Sequence, residues 1–410
     1  MSSNSAPPQE AQRQRVLRVL SLATFVIFFQ AFMVAPIIPR LSEVFGVSPQ
    51  EVGLIVPAYL IPYGVATLVY GLLADRLGLW RIMAASLVAF AALTALTATA
   101  RSVQELVLWR VLTGLGASGV VPLALVVVAR LYPYEQRGRP LGWLFGAMAG
   151  GMAFGSTVGA VLEPYLGWRA LFIALGVAGA LLLVVIVPHR ALIGGAVQGA
   201  PGNFAALLRG YRELLGTARG QRTYAYVFVN SVFHSGVFTW LGLYLERRYS
   251  LGPVGIGIAL VGYGVPGFVF GPLIGRAADR YGRGRLIPMG LALSALAAAA
   301  LVADLPLVAA VVAITVLSLG YDMTQPLFAG LVTAIGGKRP GQAMGLNVFM
   351  LFVGFGLGSL VFGEVLRHGF TPALGIFAVV EAGVAIAAVV LFRAEKPAAQ
   401  RNQATPSSSL

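Results

Sequence analysis

Gly71-Leu-Leu-Ala-Asp75-Arg76-Leu-Gly78-Leu-Trp-Arg81 recurs as Gly275-Arg-Ala-Ala-Asp279-Arg280-Tyr-Gly282-Arg-Gly-Arg285, 204 residues further along the chain. Each copy joins two long apolar runs. A second pair of segments keeps the same offset, Leu115-Gly116 with Pro122-Leu123 against Leu319-Gly320 with Pro326-Leu327. Two segments repeating at one spacing mark a duplicated chain, and parallel repeats of this kind build carriers with a site between their halves.

Composition places the duplication in a bilayer. With 58% hydrophobic and 11% charged residues the chain has too little polar surface to cover a soluble body of 410 residues. The absence of cysteine excludes disulfides, thiolate catalysis and cysteine metal sites. His189, His234 and His368 lie far apart in the sequence and in no ligand spacing, so no metal centre is expected. The net charge of +14 is scattered through short loops, which speaks for membrane topology and against nucleic acid. The first apolar run is too long for a signal peptide and has no small-residue cleavage site after it, so it is expected to remain as a helix.

A helix needs about 20 apolar residues to cross a hydrocarbon core of about 30 Å. Twelve stretches qualify: Val16–Pro39, Val52–Leu73, Ile82–Ala100, Val103–Leu131, Leu141–Leu162, Trp168–Val187, Thr223–Leu245, Val254–Ile274, Leu286–Val302, Leu305–Leu331, Ala343–Leu366 and Phe370–Phe392. With a cytoplasmic N-terminus, 22 Lys and Arg lie inside and six outside, leaving Arg110 in a span. That split satisfies the positive-inside rule with both termini cytoplasmic. The expected organisation is an all-α membrane protein: a cytoplasmic tail over 1–15, a six-helix bundle over 16–188, a cytoplasmic linker over 189–221, a second six-helix bundle over 222–393 and a disordered tail over 394–410. In the linker, Phe204, Leu207, Leu208, Tyr211, Leu214 and Leu215 fall at helical spacing with Asn203 as N-cap. An amphipathic helix on the inner leaflet and one packed on the bundle both fit.

These residues resemble the major facilitator superfamily from Val16 to Phe392. Gly71-x-x-x-Asp75-Arg76-x-Gly78 resembles its loop signature between helices 2 and 3, and Gly275 to Arg285 takes the equivalent loop between helices 8 and 9. Arg110-Val-Leu-Thr-Gly114-Leu-Gly116 resembles the family's fourth-helix Arg-x-x-x-Gly-x-Gly. Gly151-x-x-x-Gly155-Ser156-x-x-Gly159-Ala160 is similar to the fifth-helix pattern of drug and proton antiporters, with Ser156 in place of Pro and Ala160 in place of Gly. Leu79 and Trp80 replace the usual basic pair before Arg81. The resemblance implies a twelve-helix, proton-coupled exporter of small organic or drug-like solutes in a cell membrane, the bacterial plasma or inner membrane. It would act as a monomer with no cofactor beyond the proton gradient. A proton-coupled uptake symporter for a sugar, organic acid or other nutrient is the alternative.

Each candidate carries a physical role. Gly71, Asp75, Arg76, Gly78 and Arg81, with Gly275, Asp279, Arg280, Gly282 and Arg285, are read as a breakable cytoplasmic latch in which glycines permit close approach and carboxylates meet helix N-termini or arginines. Gly151, Gly155, Ser156 and Gly159 are read as a small-residue face on which the halves rock against glycines of helices 8 and 11, tight packing without motion being the alternative. Ionisable groups within spans mark pathways or buried pairs. Those here are Asp322, first choice for the protonatable carboxylate, then Arg110, Glu381 and His234, the last more naturally a neutral hydrogen-bonding partner. Many drug exporters carry an acid in helix 1, where this chain offers Gln30. From the helices the family places around its cavity come Gln30, Tyr59, Tyr63, Asn230, Phe238, Trp240, Tyr263, Asn347 and Phe349, aromatic walls suited to amphiphilic or cationic molecules. No nucleophile–base arrangement or phosphate loop is present, so neither an enzyme nor a nucleotide-driven pump is expected.

Overall fold

The computed structural model describes residues 8–132, 138–194, 204–337 and 339–395, and every regular element among them is helical. The N-terminal half comprises α1 (Pro8–Phe32), α2 (Ile38–Phe45), α3 (Pro49–Gly53), α4 (Pro57–Leu77), α5 (Leu79–Thr97), α6 (Val103–Ala117), α7 (Val120–Leu131) and α8 (Gly138–Ile186). The linker carries α9 (Arg190–Gly194) and α10 (Phe204–Leu215). The second half comprises α11 (Ala218–Tyr249), α12 (Pro253–Ala259), α13 (Val265–Tyr281), α14 (Arg283–Ala300), α15 (Leu307–Gly336), α16 (Pro340–Val365) and α17 (Phe370–Leu391).

Among the described residues, eight helical stretches are long and apolar enough to cross a bilayer unaided. The longest, Arg139–Gly194, holds two of the expected spans, because Gly167 at φ +75° breaks α8 where the turn needs a left-handed residue. Helix 1 is already formed at Pro8, the first described residue, well before the expected Val16. The stretch expected as 1–15 tail is thus helical from its eighth residue.

Small residues decide which helices touch. Gly151, Gly155 and Gly159 of α8 lie against the backbone of Phe25 and Phe29 of α1 and of Met33 just after it, where a Cβ would not fit. The expected rocking face is therefore packed inside one half. Residues two positions away lie about 200° around the helix, and that opposite row meets the other half: Ala149 and Ala153 abut Gly264, and Thr157 and Val161 abut Gly257. Ser156 is buried, its hydroxyl donating to the Ala153 carbonyl at 3.0 Å. The same rule governs α16, where Gly354 and Gly358 sit on Phe228 and Val232 of α11 while Gly356 receives Ile61 of α4. Of the other glycines expected to support rocking, Gly267 faces Asp322 in its own half and Gly345 approaches Tyr211 of the linker.

At the end of the molecule away from the termini the halves seal by contact of Pro36 with Gly242 and of Trp240 with Gly53. Toward the termini, Gly142 and Gly146 of α8 face open space. The linker helix packs on the bundle. Leu214 is buried with Tyr224, Val332, Ala343 and Leu346, Gln342 donates to the Leu207 carbonyl at 2.6 Å, and Tyr211 reaches the Leu68 carbonyl of α4 at 3.4 Å. The N-cap expected at Asn203 lies outside the described residues.

The chain beyond α17 is not all tail. Glu395 is buried and accepts hydrogen bonds from Arg219 and Arg222, each at 2.8 Å, while its carbonyl receives the Gly284 amide at 3.1 Å. Burial pushes this carboxyl up, but the hydrogen bonds and charge of Arg219, then those of Arg222, outweigh it and hold it below the usual carboxylate range. The rest of the expected tail, 396–410, lies outside the described residues.

Two outcomes follow. Gly155→Val should cost about 1–3 kcal/mol through overpacking and lower the melting temperature of the solubilised protein, whereas Gly146→Ala, which meets open space within a helix, should hold or slightly raise it; equal losses would contradict the α1–α8 contact. Because the Glu395 carboxyl is depressed, its contribution is present above the unfolded-state value and lost as pH falls through the folded one. The melting temperature should therefore drop on titration from about pH 7 to about pH 4, and Glu395→Gln should remove part of that dependence; an unchanged slope would show that the carboxylate contributes nothing.

Candidate functional site

Two helices of the first half break near their far ends. After Phe32 the chain leaves the α-helix, and at 54–56 a turn separates α3 from α4 because Pro57 has no amide to continue the ladder. The Val34 amide returns no bond to the Gln30 carbonyl, and Tyr59 bonds back to Val56 in place of Ile55. Arg110 of α6 fills this gap. Fully buried, it donates from Nε to the Ile55 carbonyl at 3.1 Å, from Nη2 to Ala31 at 3.3 Å and, over a longer 3.5 Å, from Nη1 to Gln30. Its guanidinium lies 4.3 Å from the centre of the Tyr59 ring, a cation–π contact. The expected polar partner Gln30 is thus engaged through its backbone; its side-chain amide is buried with no protein partner. Gly114 lies one turn below Arg110, where a side chain would collide with the Tyr59 carbonyl.

The second half answers a break with the opposite charge. Between α12 and α13 the chain turns through Gly264 at φ +83°, leaving the first amides of α13 without intrahelical acceptors. Asp322 of α15 takes the Gly267 amide at 2.9 Å and the Ser318 hydroxyl at 3.1 Å, and Ser318 in turn accepts from the Gly264 amide at 2.7 Å. A carboxylate here caps a helix N-terminus from a neighbouring helix, where amides and macrodipole both favour negative charge. Only glycine fits at 267, because a Cβ there would meet the Asp322 carboxyl.

Between these two sites lies an aromatic layer drawn from both halves. Tyr63 stacks on Phe352 with centroids 4.2 Å apart, Phe28 and Phe32 meet Phe352 and Phe355 edge-on, and Phe32 reaches Phe238. His234 stacks on Tyr321 at 3.5 Å and shares a 2.8 Å hydrogen bond with the Tyr263 hydroxyl. Asn230 donates to Thr324 at 2.9 Å. The hydroxyls of Tyr59 and Tyr63, and the amide oxygens of Asn230 and Asn347, are buried without protein partners.

Two expected cavity residues lie elsewhere. Trp240 bonds through Nε1 to the Ser359 carbonyl at 3.0 Å and presses on Gly53 and Gly363, placing it in the far seal. Phe349 packs with Leu346 and Tyr224 beneath the linker helix, because α16 turns Phe352 and Phe355 toward the centre. Sequence reasoning missed both of those rings, with Phe28, Phe32, Ser318 and Tyr321. The Gly354–Gly358 row, once placed against α11, orients α16 and would have pointed to Phe355. Glu381 is fully buried in α17 and neither carboxyl oxygen has a protein partner. Among the described residues no three metal-ligating side chains converge.

The repeated loops use their last glycine for geometry. Gly78 at φ +94° and Gly282 at φ +84° each carry the chain from one helix into the next. Gly71 meets nothing that a Cβ would touch, contrary to its expected role in close approach. Asp75, Arg76, Arg81, Arg280 and Arg285 are exposed, and the cation acting on Asp75 is Arg130 of the same half. Gly275 and Asp279 are described only as part of the backbone of α13.

Arg110→Lys tests the account of the N-terminal break. Lysine keeps the charge but cannot spread donors over three carbonyls, so about 1–3 kcal/mol per orphaned carbonyl should appear as a lower melting temperature. A wild-type melting curve would mean the carbonyls need no such donor.

Comparison with known proteins gives this geometry its setting. The model of the Major Facilitator Superfamily matches residues 20–255 and 228–409. The chain is 26% identical over 363 residues to the uncharacterized MFS-type transporter YceJ of Bacillus subtilis, covering 86% of this chain and 91% of that one. It is 24% identical over 383 residues to the quinolone resistance protein NorA of Staphylococcus aureus, covering 92% and 96%. Among solved structures, the human organic anion transporter MFSD10 superposes with a TM-score of 0.74 at 18% identity, over 94% of this chain and all of that one. A bacterial homologue of the human lysosomal transporter Spinster, in an inward-facing conformation, gives 0.73 at 16% identity, over 96% and 99%. Two duplicated helical halves meeting at a buried polar and aromatic layer, and a family match over nearly the whole length, make this chain an integral membrane transporter belonging to the Major Facilitator Superfamily.

Proposed function

We propose that the protein exports small organic, drug-like solutes in exchange for protons by alternating access between its halves, from a bacterial plasma membrane with both termini in the cytoplasm. The observation that carries this reading is Asp322, a carboxylate within a span that holds the N-terminus of a half-helix next to an aromatic layer shared by both halves. Ionised, it accepts from Gly267 and Ser318. Protonated, it loses the charge that makes those bonds strong and favours the helix end. α12 is held on the first half through Gly257, so a change at the Gly264 break moves α13 relative to a fixed partner. Proton binding is thereby converted into a change of helix packing.

The aromatic layer supports an organic solute. Rings from Tyr63, Phe238, His234, Tyr321 and Phe355 offer broad apolar faces, and the unpartnered polar atoms of Gln30, Tyr59, Tyr63 and Asn347 offer hydrogen bonds once the halves part. A cationic solute approaching Asp322 would favour its ionised form and so expel the proton. The name of the quinolone resistance relative agrees with a drug-like solute, and bacterial relatives agree with a plasma membrane. His234, bonded to Tyr263, serves as an uncharged partner, and Glu381 is the remaining buried carboxyl able to take a proton.

In inverted vesicles acidified inside, added substrate should release protons from the lumen; their retention would favour the uptake carrier. Asp322→Asn keeps the side chain's size but cannot titrate. It should lower proton-driven transport by about tenfold or more, while substrate still binds with an affinity that no longer varies with pH through this group. Wild-type active transport in that variant would remove Asp322 from the coupling mechanism.

A further inference from the structure

At the corner where α4 turns into α5 and α8 runs into α9, a cleft of about 450 Å³ opens toward the solvent, lined by Arg76, Arg81 and Arg190 with Trp80 and Gly78. No carboxylate lines it, and among the described residues neither Arg81 nor Arg190 forms an ion pair. The 19-residue α5 starts here at Leu79 without a side-chain cap, adding its unpaired amides and the positive end of its dipole to the same spot.

A second arginine-lined cleft, in the other half, shows what such a site accepts. There Arg219 and Arg222 at the start of α11 face the chain that follows α17, and the chain's own Glu395 supplies the anion between them. The first-half cleft, among the described residues, gives Arg81 and Arg190 no such internal carboxylate. Its surroundings select the source of an external one. Leu77 is 52% exposed and Val184 69% exposed on the helices that enter this corner, apolar surface that belongs against acyl chains, and Trp80 stands half-buried beside the arginines as interfacial tryptophans do. The corner lies at the end of the bundle that carries the termini, where α4, α5 and α8 leave the hydrocarbon.

We propose that this cleft binds the phosphate headgroup of an anionic phospholipid from the terminal-side leaflet, with Arg81 and Arg190 as its main ligands, Arg76 at the rim and Trp80 against the glycerol backbone. Arginine suits the task because its planar fork meets two phosphate oxygens at once. The inference rests on the family assignment as a membrane transporter, and it holds for export or uptake alike.

The test uses the full-length protein in detergent, with binding of phosphatidylglycerol, phosphatidylcholine of the same chains and inorganic phosphate followed by native mass spectrometry and thermal shift. Wild type should retain phosphatidylglycerol in preference to phosphatidylcholine. The double variant Arg81→Gln, Arg190→Gln should bind it about tenfold more weakly, the loss expected for removing charge-assisted contacts. The double variant Arg209→Gln, Arg212→Gln, which removes the same charge from the linker helix, should bind as wild type. Equal retention of both lipids, equal loss in both double variants, or stabilisation by inorganic phosphate matching that by phosphatidylglycerol would each overturn the proposal. Trp80 gives a second readout that does not depend on the stability of the arginine variants. Brominated phosphatidylglycerol should quench wild-type tryptophan fluorescence by more than it quenches Trp80→Phe, and identical quenching in the two would overturn it as well.

Discussion

A backbone amide or carbonyl released inside a bilayer has no water to turn to, so every helix break there must be answered by another protein group. In this transporter the answer comes from the charged residue of a neighbouring helix, and its sign matches the groups released. Above the breaks of α1 and α3–α4 the orphans are carbonyls, and they receive the guanidinium of Arg110. Below the break of α12–α13 the orphans are amides, and they receive Asp322 with Ser318. A charged side chain at such depth costs several kcal/mol on its own. It persists because removing it would strand two or three buried backbone groups. The rest of the site is arranged around these two anchors, since they set where the outer segments of α1, α4 and α13 point and hence where the aromatic rings meet.

Cohesion within a half and contact between halves rest on different surfaces. Inside each half, glycines bring backbones together: Gly155 on Phe29, Gly358 on Val232, Gly290 on Gly320. Backbone contacts of that kind leave no slack. Between halves most surfaces are alanines, aliphatic tips and rings, as in Ala153 beside Gly264, Ile61 beside Gly356 and Tyr63 on Phe352, with backbone approached at Gly242 on Pro36 and Gly257 on Thr157. Side-chain contacts of this sort separate without breaking a hydrogen bond. Halves tied internally by backbone contact and meeting largely through side chains suit the alternating access proposed above.

The duplication and the apolar runs were legible because hydropathy and repeated motifs do not depend on how a helix is rotated. Rotation was the missing quantity. A step of one residue turns the side chain by about 100°, so Phe349 and Phe352 are interchangeable on paper, yet only Phe352 reaches Tyr63. The glycines of α8 were correctly seen as a packing row, but a row does not name its partner, and Gly151 to Gly159 chose α1 over the opposite half. The cap at Asp322 was hidden for another reason: its acceptor role depends on Gly267, 55 residues away, and on a break inside an apolar run. Gly262-Tyr-Gly264-Val-Pro266 carried that signal, since two glycines and a proline within five residues do not continue a helix.

The two anchors differ in one respect that bears on mechanism. A guanidinium keeps its proton under any condition a cell presents, so no change of protonation releases the carbonyls that Arg110 holds. A carboxyl has two forms, and only one is a full acceptor for Gly267 and Ser318. On the proposed reading, the first half is then a fixed frame and the second half the responsive one, although both descend from a single repeat. This also accounts for Gln30 where many drug exporters carry an acid: a second titrating group beside Arg110 would pair with the guanidinium and draw it off the carbonyls of Ile55 and Ala31. An amide leaves the frame intact, so the division of labour between the halves follows from which backbone groups each break exposes.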